Sequence, residues 1–126
     1  MADKMIPERR RIRESEAQVI HAALDHAPVA SVDQRATAAI PDLDVIARCE
    51  CGCASIDFNA PASELRSEII ADATGRTPRG GQVGVIVWGR SDAITALEIY
   101  DLGAGDEDLV LPVPTSVIPW ERQEAQ

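Results

Sequence analysis

The stretch Cys49-Glu50-Cys51-Gly52-Cys53 holds all three cysteines of the 126-residue chain within five positions. Short apolar-rich runs flank it at residues 43–48 and 54–58, and a proline lies beyond each run. Two such runs around a glycine-containing tip predict a β-hairpin with Cys51-Gly52 as a two-residue turn. Gly52 suits that turn because glycine adopts a positive φ without steric cost.

The two-residue turn sets the register of the hairpin. Cys49 then faces Ala54 and Val45 faces Phe58, so that one face of the pair is wholly apolar. A register shifted by one residue would set Cys49 opposite Cys53, but it would mix polar and apolar side chains on both faces. The sequence therefore favours the first register.

In this register the three thiols do not converge, because Cys49 points into the core, Cys51 lies at the tip and Cys53 points outward. A structural zinc site needs four ligands, and the chain has no second cysteine pair to complete one. His21 and His26 are five residues apart and would point away from each other on a helix. A Zn or Cu site formed by Cys49, Cys51 and Cys53, or a redox role for them, is the alternative hypothesis.

Composition indicates one small domain. Hydrophobic residues make up 45% of the chain and aromatic residues only 3%, so the core must consist largely of aliphatic side chains. No apolar run approaches the roughly 18 residues of a membrane span, and the basic start is not followed by the apolar segment of a signal peptide. We expect a basic flexible arm at residues 1–13, a single domain at 14–120, a frayed tail at 121–126, no membrane partner and a cytoplasmic location.

The charge is strongly negative and unevenly distributed. The net charge is −9, with +3 on residues 1–13 and −12 on the remainder. An acidic body repels phosphate backbones, which argues against nucleic-acid binding through the folded domain. The same field would speed the approach of a basic protein partner.

Two stretches carry helix-start signals. Ser15-Glu16-Ala17-Gln18 matches a capping box, so a helix is predicted to begin at Ser15. Apolar residues then recur at helical spacing until Pro28, which ends the helix. A second cap pattern, Ser31-Val32-Asp33-Gln34, predicts either a short helix that runs toward Ala39 or coil.

The second half of the chain is strand-rich. Residues 68–74 and 83–88 are strand-like, and the latter carry apolar side chains on both faces, as a central strand does. Residues 94–100 complete a second hairpin, whose register is open between Val85 opposite Glu98 and Val85 opposite Ile99. Gly84 indicates a bulge or the close approach of another segment, and Glu98 suits an edge position that leans to solvent or pairs with an arginine. Residues 103–108 are predicted to form an acidic loop. Residues 109–120 are rich in proline and are predicted to form an irregular strip.

The run Arg48-Cys49-Glu50-Cys51-Gly52-Cys53-Ala54-Ser55-Ile56-Asp57-Phe58 resembles small bacterial proteins with a C-x-C-G-C-x-S core. Leu97-Glu98-Ile99-Tyr100 and the later Leu111-Pro112 extend the resemblance over most of the chain from Leu43 onward. The resemblance implies no activity.

These patterns predict an α+β fold in which an N-terminal helix packs on an antiparallel β meander of about five strands. They contain no catalytic signature. The sequence therefore predicts a non-enzymatic, acidic protein-binding module without a cofactor, of immunity or antagonist type, whose partner is a basic protein. The residues predicted to bind that partner surround the hairpin tip: Arg48, Glu50, Cys51, Gly52 and Cys53.

Overall fold

A computed structural model of the chain describes residues 5–27, 32–58, 68–103 and 109–120. The strands are β1 Met5–Arg11, β2 Asp44–Cys49, β3 Ile56–Phe58, β4 Glu68–Arg76, β5 Gln82–Arg90, β6 Ala93–Asp101 and β7 Ile118–Pro119. The helices are α1 Glu14–Leu24 and α2 Gln34–Ala38, and short 3₁₀ turns occupy Ile40–Asp42 and Pro114–Ser116.

All seven strands form one antiparallel sheet in the order β1-β2-β3-β6-β5-β4-β7. The predicted α+β fold, a helix on a meander of about five strands, is therefore wrong: the protein is mainly β, with one short helix against a seven-stranded sheet. The sheet is also not a simple meander, because β3 pairs with β6 rather than with β4. The two strands that the sequence did not predict lie at the two edges.

One of these edge strands is β1, which lies in the segment expected to be a flexible arm. Its residues pair with β2 from Met5 opposite Cys49 to Arg11 opposite Asp44. The pairing includes ion pairs between the strands, Arg11 Nε to Asp44 Oδ1 at 3.3 Å and Arg48 Nε to Glu8 Oε1 at 3.0 Å. Backbone pairing and charge therefore hold a strand whose sequence is too polar to show the usual strand pattern.

The centre of the sheet is the β5–β6 hairpin. It adopts the second of the two registers considered, with Val85 opposite Ile99 and Val87 opposite Leu97. These four side chains are buried and share one core with α1, which packs against β4 and β5. The close approach predicted at Gly84 is confirmed, because a Cβ there would overlap the ring of its cross-strand partner Tyr100.

Helix α1 begins one residue after Arg13, its N-cap, so the predicted start at Ser15 is wrong. The reason is Glu16, whose Oε1 accepts the Arg13 backbone N–H at 2.8 Å. The same buried carboxylate receives two hydrogen bonds from the Arg10 guanidinium, at 2.9 and 2.7 Å. This charge-assisted pair ties β1 to α1, and the hydrogen bonds that Arg10 donates to Glu16 raise the pKa of Arg10 above its ordinary value.

The second predicted helix is present but begins later than its cap pattern suggested. Asp33 is the N-cap of α2, and its carboxylate accepts the Ala36 N–H at 3.0 Å. Ser31 and Pro28 lie outside the described residues. No helix among the described ranges is long and apolar enough to cross a bilayer.

The C-terminal strip is irregular up to Val113, as predicted, and is held by backbone contacts. Ala54 N donates to Leu109 O at 2.8 Å and Val113 N donates to Arg76 O at 2.8 Å. The strip therefore runs from the cysteine loop to the end of β4 before β7 joins the sheet. Residues 104–108 and the predicted frayed tail at 121–126 lie outside the described residues.

We expect Glu16→Gln to lower the free energy of unfolding by about 3 kcal/mol, because it leaves Arg10 without its buried counter-charge. Urea unfolding monitored by circular dichroism measures this. Glu14→Gln is the matched control, since Glu14 lies in the same helical turn but is exposed, and it should change stability by less than about 0.5 kcal/mol. Equal effects of the two substitutions would contradict the anchoring role of Glu16.

Candidate functional site

The cysteine loop is wider than a two-residue turn. Strand β2 ends at Cys49 and β3 begins at Ile56, so residues 50–55 form the connection. Val45 faces Phe58 as predicted, but the register then shifts, and Arg48 faces Ile56. Both registers considered from the sequence are therefore wrong next to the loop, and Cys49 donates its backbone N–H to Ser55 rather than facing Ala54 or Cys53.

Within the loop the chain reverses at Gly52. Its φ of +89° is the positive value expected from the sequence, and its N–H donates to Cys49 O at 3.2 Å. The Cys53 N–H in turn donates to the sulfur of Cys51 at 3.3 Å. This tight reversal folds Cys51 back toward the end of β2.

The reversal brings the three sulfurs together. Cys49 Sγ and Cys51 Sγ are 2.8 Å apart, and the Sγ atoms of Cys49, Cys51 and Cys53 all lie within 4.8 Å of one another. None of the three cysteines forms a disulfide, since a covalent S–S bond would be about 2.05 Å long. The prediction that the sulfurs point apart is therefore wrong, because it required a two-residue turn that the register shift removes.

The cluster spans the boundary between core and solvent. Cys49 is fully buried, Cys53 is half-buried and Cys51 is exposed. Of the other residues predicted at the tip, Glu50 and Gly52 are exposed beside the cluster. Arg48 is also exposed and directs its guanidinium to Glu8 on β1.

Burial keeps Cys49 protonated well into the alkaline range. Loss of solvation, followed by hydrogen bonding to Cys51, raises the pKa of Cys49 to about 12. A thiolate at this position therefore needs a cation to replace the proton. Metal ions do this, since a thiol gives up its proton when it becomes a ligand.

The spacing of the sulfurs suits one metal ion. Three sulfurs at about 2.3 Å from a common centre lie about 4 Å from one another, a value between the 2.8 Å that separates Cys49 Sγ from Cys51 Sγ and the 4.8 Å limit within which all three lie. No His, Asp or Glu among the described residues joins the three cysteines in the cluster. His26 Nε2 instead contacts Val117 O at 3.3 Å, next to β7.

A cavity of about 630 Å³ adjoins the loop. Gly52 and Cys53 form part of its wall, as do Arg10, Arg13 and Glu16. Reasoning from the sequence missed this side of the site because it treated the first thirteen residues as a free arm. The half-buried positions of β1, which include Glu8 and Arg10, alternate with exposed ones, but the sequence of this segment has no matching alternation of apolar and polar residues that would have predicted a strand.

A second, smaller cavity of about 220 Å³ is lined by Cys49 together with Asp57, Trp88 and Glu98. Glu98 is half-buried, and its partner in the described part of the chain is the Trp88 indole, which donates a hydrogen bond to it at 2.9 Å, rather than the predicted arginine. Burial raises the pKa of Asp57 above its ordinary value. These groups belong to the sheet surface beside the cluster and include no fourth ligand within the range of the three sulfurs.

No protein family matches the chain, and neither a curated protein nor a solved structure shows significant similarity to it.

We expect the free energy of unfolding to fall as the pH rises from about 9 to about 12. The pKa of Cys49 is 9.0 in the unfolded chain and about 12 in the folded protein. The stability that depends on the protonated thiol is therefore fully present below pH 9 and is lost as the pH rises toward 12. Denaturant unfolding of the metal-free protein across this range measures the slope.

Cys49→Ala is the comparison variant, because it lacks the titrating thiol but keeps the other alkaline groups. Its stability should decline less steeply over the same range, whatever its value at neutral pH. Parallel pH curves for the two proteins would show that Cys49 is not a buried, protonated thiol.

Proposed function

We propose that the protein binds one thiophilic metal ion, Zn(II) or Cu(I), through Cys49, Cys51 and Cys53. The observation that carries this proposal is the mutual approach of the three sulfurs to within 4.8 Å. Thiolates are soft ligands that select these ions over the hard cations that prefer oxygen.

The folded chain already holds the cysteine sulfurs of the site close together without a metal ion. Cys49 is fixed by its place at the end of β2, and the Gly52 reversal holds Cys51 beside it before any ion arrives. A preformed arrangement favours binding because less conformational entropy is lost on capture. The exposed Cys51 gives an ion a route from solvent to the buried Cys49.

Charge also favours a cation here. Three thiolates would carry a charge of −3, which the interior around Cys49 cannot hold alone. Zn(II) would lower the charge of the assembly to −1 and Cu(I) to −2. Ion binding and loss of the three thiol protons are therefore one coupled event, and affinity should rise with pH.

The hypothesis of a non-enzymatic module for a basic protein partner stays a prediction. The acidic net charge supports it, as does the exposure of Glu50, Cys51 and Gly52 at the loop tip. The two functions are compatible, since an ion held by the loop would stiffen the surface that such a partner meets.

The test of metal binding is elemental analysis of protein purified without chelator, together with titration of its thiols. We expect about one zinc or copper ion per chain. Cys51→Ser and Cys53→Ser should each weaken the affinity, measured against a competing chelator, by roughly 100-fold or more, because each removes a direct ligand. Glu50→Gln, which alters the same loop without removing a sulfur, should leave the affinity unchanged.

A second pair of variants tests the role of the loop conformation. Gly52 and Gly80 have φ of +89° and +94°, and a Cβ at either would meet no atom within 4 Å. Alanine at either position should therefore strain the backbone to a similar degree. We expect Gly52→Ala alone to weaken metal affinity, by about tenfold. Protein that keeps three reactive thiols and takes up neither Zn(II) nor Cu(I) from buffered solution would refute the proposal.

A further inference from the structure

The larger cavity is large enough for a small organic molecule. Its volume of about 630 Å³ falls in the range of ligand pockets, which combine an apolar lining with a few converging polar groups. The apolar part of its wall comes from Ile56 and the strip from Leu109 to Pro112.

The polar part of the wall carries excess positive charge. Among the described residues of its wall, Arg10, Arg13 and Arg48 are accompanied by two carboxylates, Glu8 and Glu16. Arg10 contacts both carboxylates and Arg48 contacts Glu8. These contacts leave one positive charge unmatched among the described residues of the wall, which one carboxylate of an occupant would balance.

The unmatched cation is the guanidinium of Arg13. Within the described ranges no ion pair is formed by this exposed side chain, although it lies near enough to help lower the pKa of Glu8, an effect due first to the hydrogen bond from Arg10. A guanidinium presents a planar fork of donors that fits a carboxylate. The cavity therefore offers one carboxylate site beside an apolar surface.

The same cavity reaches the cysteine cluster, since Gly52 and Cys53 form part of its wall. Zinc is almost always four-coordinate, and three protein ligands leave one position for an exogenous group. A molecule seated in the cavity is therefore next to the cluster that would hold the ion.

We infer that the cavity binds a small organic thiol that carries one carboxylate, and that the thiol sulfur becomes the fourth ligand of the bound zinc ion. On binding, the incoming thiol gives its proton to solvent and its sulfur takes the coordination position that water otherwise fills. The carboxylate pairs with Arg13. This inference rests on the proposed metal site and adds the class of ligand that completes it.

The experiment uses protein loaded with Co(II) in place of Zn(II), because cobalt absorption reports the number of sulfur ligands. N-acetylcysteine carries both groups, its methyl ester lacks the carboxylate and N-acetylalanine lacks the thiol. We expect N-acetylcysteine to strengthen the sulfur-to-cobalt absorption and to bind about tenfold more tightly than the ester. N-acetylalanine should leave that absorption unchanged.

Arg13→Gln separates the role of the cavity from that of the metal. It should lower the affinity for N-acetylcysteine about tenfold, to that of the ester, and leave cobalt affinity and ester affinity unchanged. Arg35→Gln, an exposed arginine on α2 outside the cavity, should change none of these values.

The metal content of each sample distinguishes the two ways of failing. Full cobalt loading with equal affinity for N-acetylcysteine and its ester, or with no effect of Arg13→Gln, would overturn this inference and leave the metal site intact. Removal of the cobalt by the thiol would also overturn it. Failure to load cobalt or zinc at all would overturn both the metal site and the inference.

Discussion

The register shift in β2 and the reversal at Gly52 are the constraint on which the functional site depends. The shift lengthens the β2–β3 connection to six residues, and the hydrogen bond from Gly52 N to Cys49 O closes the loop on itself. A simple two-residue turn would have directed Cys49 and Cys53 to opposite faces of the hairpin. The observed loop instead gathers all three sulfurs at the edge of the core.

The charged contacts of β1 form the second support. Arg10 holds Glu16 of α1, while Glu8 holds Arg48 next to Cys49. Glu16 is buried, so its pairing matters for stability, whereas the more exposed contacts of Arg48 contribute less. Together they place a basic wall beside the thiol cluster in a protein that is acidic overall. In the ligand site that we propose, the local sign of the charge, rather than the net charge, would decide which ligand binds.

Local signals in the sequence were sufficient for part of this structure. Gly52 was predicted in a turn because glycine tolerates a positive φ, and its φ is positive. Gly84 was predicted where another chain segment approaches closely, and the ring of Tyr100 lies against it. The central β5–β6 hairpin followed from its apolar pattern. These features depend on residues close together in the chain, where pattern and geometry are directly linked.

The features that escaped prediction depend on distant partners. Strand β1 is polar and is held by pairing with β2, and the Glu16 carboxylate that caps α1 at Arg13 is held in turn by Arg10 of β1. No glycine marks the position of the register shift in β2, so the sequence gives no sign of it. A shift of one residue reverses the direction of every later side chain in the strand. The cysteine cluster was therefore visible as a motif, but its geometry was not.

X-ray absorption at the metal edge of the zinc- or copper-loaded protein tests the central claim most directly, because it counts the sulfur neighbours of the ion. The account predicts three sulfur atoms from the protein, at about 2.3 Å for zinc. A first shell with one sulfur or none, or an ion surrounded by oxygen and nitrogen, would contradict it.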